Sequence, residues 1–136
     1  FVLGNSTAKI IDVSGHTQGH ILYYFEKDKA LFTGDTLFNL CIGGLFEGTA
    51  KQMFGALAKI KALPDDTLFY PGHEYTFHAA NFAYHHNQAD ENIIKYLTKA
   101  KSNLESTGHV FPFSLGEEKL CNPYLQASTL EEFTSL

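Results

Sequence analysis

The sequence contains no arginine or tryptophan, and it has only one methionine, Met53, and two cysteines, Cys41 and Cys121. Without arginine the chain has no planar guanidinium group that could bind a carboxylate or phosphate through two parallel hydrogen bonds. The two cysteines form neither a CxxC metal motif nor a disulfide framework, so we expect free thiols. Free thiols are typical of a reducing compartment, which predicts a cytoplasmic location and leaves a mitochondrial one open.

Long hydrophobic runs and excess positive charge are also absent. No segment approaches the roughly 20 apolar residues that a membrane-spanning helix needs, so we expect no membrane partner. Ten lysines against fifteen acidic residues give a net charge of −5, which predicts no nucleic-acid partner. Because the chain begins Phe1-Val2-Leu3 and its only methionine is Met53, we expect a preceding segment outside this sequence.

The 136 residues are 44% apolar and 14% aromatic, enough to form a hydrophobic core. Their pattern predicts an α/β protein with short strands first and helices later. The expected strands cover residues 8–13, 21–25, 30–33 and 67–70, and the second and third of these form a hairpin.

Three helices are predicted. The first begins after Thr49, whose hydroxyl forms a capping box with Gln52, and it ends before Pro64. The second runs from Glu74 to about His86. The third begins near Asp90 and ends at Gly108. The expected apolar stripes of the three helices are Met53, Leu57 and Ile60; Phe77, Ala80 and Tyr84; and Ile93, Ile94, Leu97 and Leu104.

A recurring pattern ends three of the apolar runs: a small or turn-forming residue, a glycine, and then His16, Asp35 or His73. Glycine lets the chain leave a strand sharply, and imidazole and carboxylate groups are ligands for divalent metals. Strand ends at one sheet edge can converge on one point, so these residues predict a metal site, with ordinary turns as the alternative. For His20, which could also be a ligand, we favour a supporting or structural role. The other histidines show no ligand spacing: His78, His85, His86 and His109.

Several motifs resemble those of a known family. Residues 14–24 (SGHTQGHILYY) and 31–38 (LFTGDTLF) resemble conserved segments of metallo-β-lactamase-fold hydrolases. Residues 46–49 (FEGT), 70–76 (YPGHEYT) and 122–124 (NPY) narrow the similarity to the C-terminal part of the glyoxalase II, or hydroxyacylglutathione hydrolase, family.

The resemblance implies a partial αββα sandwich over residues 1–72, the C-terminal half of that domain, followed by a helical substrate-binding segment over residues 73–136. It implies two divalent metals, most often zinc, with iron or manganese possible; His16 and His73 would be ligands and Asp35 the catalytic, metal-bridging carboxylate. The reaction implied is hydrolysis of S-lactoylglutathione, or another 2-hydroxyacyl thioester, to a 2-hydroxy acid and a thiol. Tyr75 and Phe46 would contact the thiol carrier, glutathione in the family.

The chain departs from the family pattern in two respects. The HxHxDH motif, which supplies further ligands, is absent, so we expect the isolated chain to be inactive. Gly44 and Gln126 occupy positions where the family usually has basic residues that bind glutathione carboxylates. Two alternatives remain: another enzyme of the fold, such as a persulfide dioxygenase with one iron, and a non-catalytic fragment or interaction module.

Overall fold

The computed structural model describes residues 1–87 and 91–136, and the expected start of the third helix near Asp90 lies outside these residues. The described part contains nine strands and six helices, which confirms the α/β class. The strands are β1 (Val2–Leu3), β2 (Ser6–Thr7), β3 (Lys9–Asp12), β4 (Ile21–Phe25), β5 (Ala30–Gly34), β6 (Leu37–Phe38), β7 (Cys41–Ile42), β8 (Leu68–Pro71) and β9 (Phe113–Ser114). The helices are α1 (Ala50–Lys61), α2 (Thr76–Asn87), α3 (Glu91–Thr107), α4 (Leu115–Cys121), α5 (Pro123–Gln126) and α6 (Leu130–Thr134).

The central sheet has the strand order β3-β4-β5-β8-β9. The predicted hairpin is present: β4 and β5 pair in antiparallel fashion, with Tyr23 opposite Phe32. β3 is antiparallel to β4, and β8 is parallel to β5, with α1 in the connection between β5 and β8. Strands β3, β5 and β8 therefore run in the same direction and end at the same edge of the sheet.

Helix α1 follows its sequence signals closely. The Thr49 hydroxyl accepts a hydrogen bond from the Gln52 backbone N–H, and the Gln52 side chain accepts one from the Thr49 backbone, so the predicted capping box is present. Met53, Leu57 and Ile60 are completely or almost completely buried, as the stripe predicts. These side chains join the same hydrophobic core as the sheet residues Leu31 and Phe69. The loop before the helix is attached to the turn after β3 by a 3.1 Å hydrogen bond from Gly48 N–H to the Gly15 carbonyl.

The predicted apolar stripe of α2 is wrong. Phe77 and Tyr84 are exposed, whereas the buried positions of the helix are Thr76, Ala79 and Ala83. Small side chains let α2 approach α3 and α5 closely, and this close packing takes precedence over the burial of larger side chains. The helix also begins two residues later than predicted.

The prediction for α3 is only partly correct. Ile93 is buried as expected, but Ile94 and Leu104 are exposed, and the buried face is completed by Tyr96 and Ala100. The polar phenol and the small alanine do not stand out as core positions in the sequence. Within the described ranges, no helix has the length and apolar character required to cross a membrane.

Candidate metal centre

The three predicted metal-site residues follow the three strand ends that share one sheet edge. His16 lies in the turn after β3, Asp35 directly follows β5, and His73 follows β8 after Gly72. The Gly72 N–H donates a 2.8 Å hydrogen bond to the Gly34 carbonyl, which ties the ends of the two parallel strands together. The topology therefore brings residues far apart in the sequence to one place.

The Asp35 carboxylate lies between the two imidazoles. Its Oδ2 is 3.5 Å from His16 Nε2, and its Oδ1 is 3.5 Å from His73 Nε2. The two sides differ in exposure, since the His16 side chain is 12% exposed and that of His73 is 54% exposed. Each carboxylate oxygen is thus paired with one nitrogen, an arrangement that suits a carboxylate shared by two cations.

A backbone contact determines the tautomer of His16. Its Nδ1 lies 2.7 Å from the Gly44 carbonyl oxygen, which can only accept a hydrogen bond, so Nδ1 carries the proton. In the neutral ring Nε2 then has a free lone pair, and this lone pair faces Asp35. A second nitrogen that donates to a carbonyl is typical of metal-binding histidines.

His20 supports Asp35 from the backbone side. The Asp35 N–H donates to His20 Nε2 at 3.2 Å, and the Thr17 hydroxyl lies 3.3 Å from His20 Nδ1. Burial lowers the pKa of His20 and the neighbouring His16 lowers it further, against an opposing effect of Asp35, and this favours the neutral ring that can accept the hydrogen bond. The structure thus gives His20 the supporting contact that the sequence analysis favoured.

Glycines leave the space that Asp35 and His20 occupy. A Cβ atom at Gly72 would lie 2.5 Å from Asp35 Oδ1, and one at Gly43 would lie 1.8 Å from the Asp35 carbonyl oxygen. A Cβ at Gly34 would lie 2.8 Å from His20 Nε2. Side chains at these positions would displace the carboxylate or its support, so the glycines fit a carboxylate held in one position for a metal.

The described residues supply only part of a metal site. Among residues 1–87 and 91–136, no three histidine, cysteine or acidic side chains surround a single point closely enough to hold one ion. Instead, His16 and His73 lie on either side of Asp35, each beside one of its carboxylate oxygens. Zinc sites usually have four ligands, so each half of this arrangement would need further donors.

The exposed side of His73 opens into an aromatic cavity. The Tyr75 ring stacks on His73 with 5.5 Å between centroids, and Phe38 meets Tyr75 edge-on at 5.1 Å. An adjoining open cavity of about 360 Å³ is lined by Phe38, Cys41, Ile42, Gly44, Tyr75, His78, Ala79, Phe82 and Tyr124. Its size suits a small ligand, and no lysine is among the lining residues.

The two predicted substrate-contacting residues lie on opposite sides of the site. Tyr75 lines the cavity beside His73, whereas the exposed Phe46 meets the His16 ring edge-on at 5.1 Å and is not part of the cavity lining. Among the remaining histidines, His78 lines the cavity, but no described contact connects it to Asp35. No individual role was predicted for Phe38 or Gly43, and Gly44 was noted only as a position where the family usually has a basic residue. The double glycine after a short apolar run was the available signal for this pair.

Burial raises the pKa of the Cys41 thiol in this cavity to about 12, and the nearby Glu118 and Glu74 charges contribute to this effect. The thiol is therefore protonated at neutral pH and is a poor nucleophile. Burial likewise raises the pKa of Tyr124. The cavity thus offers neutral apolar and hydroxyl surfaces beside the imidazole–carboxylate cluster.

Comparisons with known proteins show which families the chain resembles. The family profile described as "Metallo-beta-lactamase superfamily" matches residues 1–73, and that described as "Hydroxyacylglutathione hydrolase C-terminus" matches residues 74–135. The chain is 44% identical to the hydroxyacylglutathione hydrolase of Pelagibacter ubique over 97% of its own length and 55% of that protein. It is 40% identical to the enzyme of the same name from Erythrobacter litoralis, over 92% of this chain and 50% of that one.

A solved metallo-β-lactamase structure from Staphylococcus aureus is similar, with a TM-score of 0.65 and 25% identity, over 98% of this chain and 34% of that one. The chain thus spans about half the length of the curated relatives that it matches. It belongs to the metallo-β-lactamase superfamily, and its second half matches the family model of the hydroxyacylglutathione hydrolase C-terminus.

Proposed function

We propose that this chain forms part of a metal-dependent thioester hydrolase of the glyoxalase II type. The observation that carries the proposal is the Asp35 carboxylate, which presents one oxygen to His16 Nε2 and the other to His73 Nε2. The superfamily implies a divalent-metal site, and the glycines around Asp35 and the tautomer of His16 fit such a site. His16, Asp35 and His73 would hold the metal.

The reaction proposed is hydrolysis of a 2-hydroxyacyl thioester. Water adds its oxygen to the carbonyl carbon, the carbon–sulfur bond breaks, and the sulfur leaves with a proton as a free thiol. Bound divalent metals supply the means to deprotonate water at neutral pH and to polarise the carbonyl group. Asp35 would be the catalytic carboxylate, because its two oxygens face the two histidines and could both serve as metal ligands.

The aromatic cavity supports the binding of the substrate by this chain. Tyr75 stacks on His73, and Phe38 packs against Tyr75, so a thiol carrier in the cavity would lie directly beside the reacting centre. Phe46 would bound the substrate on the His16 side. We take S-lactoylglutathione as the reference substrate and glutathione as the carrier, because residues 74–135 match the family model of the hydroxyacylglutathione hydrolase C-terminus.

The finer assignments belong to the same proposal. Residues 1–72 would be the C-terminal half of the metallo-β-lactamase-like domain and residues 73–136 the helical substrate-binding segment. Two zinc ions are the expected metals, because imidazole and carboxylate ligands suit zinc, and iron or manganese would be recognised by elemental analysis. The two free cysteines support a cytoplasmic location, which cell fractionation can test.

The test uses the complete gene product. Its metal content would be measured together with its hydrolysis of S-lactoylglutathione, and the variants His16→Ala and Asp35→Ala would be compared with the parent protein. Each variant should lose metal and abolish metal-dependent hydrolysis. Asp28→Ala is the matched control, because Asp28 lies in the exposed turn between β4 and β5, and it should keep both properties.

Other outcomes would separate the alternatives. Iron content with activity toward a persulfide, and not toward the thioester, would favour the dioxygenase. Absence of any hydrolysis in the complete, metal-loaded gene product would favour a non-catalytic module. Wild-type metal content and rate in His16→Ala or Asp35→Ala would refute the proposed site.

A further inference from the structure

A buried carboxylate, Glu118, lies at the centre of a hydrogen-bond network behind the cavity. Its Oε1 accepts hydrogen bonds from the Leu40 backbone N–H at 2.6 Å and from Asn122 Nδ2 at 2.8 Å. Its Oε2 accepts one from the Tyr96 hydroxyl at 2.5 Å, and that hydroxyl accepts one from Asn39 Nδ2. Since burial of a carboxylate is costly, three donors directed at one side chain indicate a specific task.

The network binds a strained turn. Strands β6 and β7 form a small hairpin in which Phe38 pairs with Cys41, so Asn39 and Leu40 form the connection. Leu40 has a φ of +65°, a left-handed conformation that usually favours glycine. The Leu40 N–H bonds to Glu118, and Asn122 donates a 3.1 Å hydrogen bond to the Cys41 carbonyl, so both sides of the bend are attached to the α4 region.

The same turn leads directly to the support of His16. Three residues separate Leu40 from Gly44, whose carbonyl accepts the hydrogen bond from His16 Nδ1. Gly43, between them, is packed so closely against the Asp35 backbone that a Cβ atom would meet the carbonyl oxygen at 1.8 Å. A displacement of the turn would therefore move both the partner of His16 and the backbone beside Asp35.

We propose that Glu118 is a positioning residue for the candidate metal centre: it holds the Asn39–Leu40 turn so that the Gly44 carbonyl fixes the tautomer and orientation of His16. The inference rests on the proposed function only because that function makes His16 a metal ligand. Glu118 acts through the backbone of residues 40–44. Its task is to maintain a histidine lone pair directed toward Asp35.

The adjacent residue, Glu117, provides a matched control. Its carboxylate accepts a hydrogen bond from the Ser114 backbone at 2.9 Å and pairs with Lys99, so it caps its own helix. None of its described contacts reaches the turn at residues 39–44. A second control, Leu115→Ala, removes a fully buried side chain from the same helix and so tests the effect of lower stability alone.

The experiment follows the His16 imidazole directly. In the metal-free complete gene product, ¹⁵N-resolved NMR at constant pH would report whether His16 Nδ1 carries a protected proton, and zinc affinity would be measured by competition with a chelating dye. The wild type should show this proton. Glu118→Ala should lose it and bind zinc about 10- to 100-fold more weakly. Glu118→Gln keeps one acceptor oxygen and should lie between the two.

Glu117→Gln should retain the His16 signal and a zinc affinity within about twofold of wild type, and Leu115→Ala should retain the signal even with a lower melting temperature. Retention of the signal and affinity in both Glu118 variants would overturn the inference. Absence of the His16 signal in the wild type, or an equal loss of this signal in Leu115→Ala, would also overturn it. If Glu118→Ala does not fold, Glu118→Gln decides, and an unchanged signal and affinity there would refute the role.

Failure of the proposed function would appear differently. A wild-type protein that binds zinc but hydrolyses no thioester would contradict the hydrolase assignment. The NMR and zinc-affinity results on the Glu118 variants would still decide its positioning role.

Discussion

Among single residues, the glycines around Asp35 have the most demanding positions. Gly72 permits β8 to approach β5 so closely that its N–H bonds to Gly34 while the Asp35 carboxylate passes alongside. An added methyl group at Gly72 would be 2.5 Å from Asp35 Oδ1, well inside van der Waals contact. The carboxylate would have to rotate away from His73. The position of the Asp35 carboxylate therefore depends on the absence of a side chain at residue 72.

This dependence predicts the effect of Gly72→Ala. We expect the complete gene product to lose about 10- to 100-fold in zinc affinity, with a parallel loss of hydrolysis, because the Asp35 carboxylate would be displaced. Zinc competition and steady-state kinetics would measure the two effects. Gly55→Ala is the control, since nothing lies within 4 Å of its Cβ position on the exposed face of α1. It should raise stability by about 0.5–1 kcal/mol and leave zinc affinity unchanged.

The cavity lining suggests a second residue-scale prediction, at Gly44. A Cβ at this position would make only ordinary contact with the Phe46 ring, at 3.6 Å, so a longer side chain can be accommodated. Gly44→Lys would add a cation to a lining that contains no lysine. We expect the KM for S-lactoylglutathione to fall about three- to tenfold, because the added ammonium can pair with a carrier carboxylate.

The charge effect can be separated from the effect of size. Gly44→Met adds a side chain of similar length without charge and should leave the KM unchanged. The decrease caused by the lysine should shrink at high ionic strength, where exposed charges are screened. An equal decrease in the methionine variant, or none in the lysine variant, would contradict charge pairing at this position.

At the scale of elements, the buried face of a helix could be predicted only where its large apolar residues are the ones that pack into the core. Helix α1 was predictable because Thr49 and Gln52 cap it and its large apolar residues face the core. Helix α2 was also predicted, but its buried face was not, because alanines and Thr76 form that face while Phe77 is exposed. Close helix packing selects small residues, which carry little signal in a single sequence.

The candidate site was also only partly predictable from the sequence. The three Gly-His or Gly-Asp turns could be identified because each follows a strand, and strand direction then brings them together. The contact between Glu118 and Leu40 joins residues 78 positions apart and has no local pattern. Only the tertiary fold shows that a helix in the second half supports a turn in the first.

Helix α4 also carries a pH-dependent contribution to stability. Burial raises the pKa of Glu118 from 4.5 to about 7, although Tyr96, Asn122 and the Leu40 N–H all donate to it, and the nearby Glu117 charge adds to the increase. The folded state therefore binds this proton more tightly than the unfolded chain does. The protonated Glu118 therefore makes its full contribution to the free energy of unfolding below pH 4.5. This contribution is lost as the pH rises through about 7.

The resulting prediction concerns the difference between the wild type and Glu118→Gln, both studied with metal removed. From pH 4.5 to 7 the wild type should lose up to roughly 3 kcal/mol of unfolding free energy relative to the variant, whose amide does not titrate. Urea unfolding at several pH values would measure this difference. A difference that stays constant over the interval would show that Glu118 does not titrate there.

For the whole molecule, the important property is the number of metal donors. The described residues bring together two imidazole nitrogens and one carboxylate, and no three such side chains surround a single point within them. Two zinc ions with about four ligands each would need more donors than this cluster contains. The chain covers about half the length of its curated relatives, which leaves room for further ligands elsewhere in such proteins.

We therefore predict that residues 1–136 alone differ greatly from the complete gene product in zinc affinity and in thioester hydrolysis. The isolated segment should bind zinc at least about 100-fold more weakly, because each ion would have only one imidazole and a share of Asp35, and it should not hydrolyse S-lactoylglutathione detectably. Calorimetric zinc titration and a thioester assay on both forms would test this, and circular dichroism would show whether the segment is folded. Equal zinc affinity and activity in a folded segment would mean that His16, Asp35 and His73 suffice.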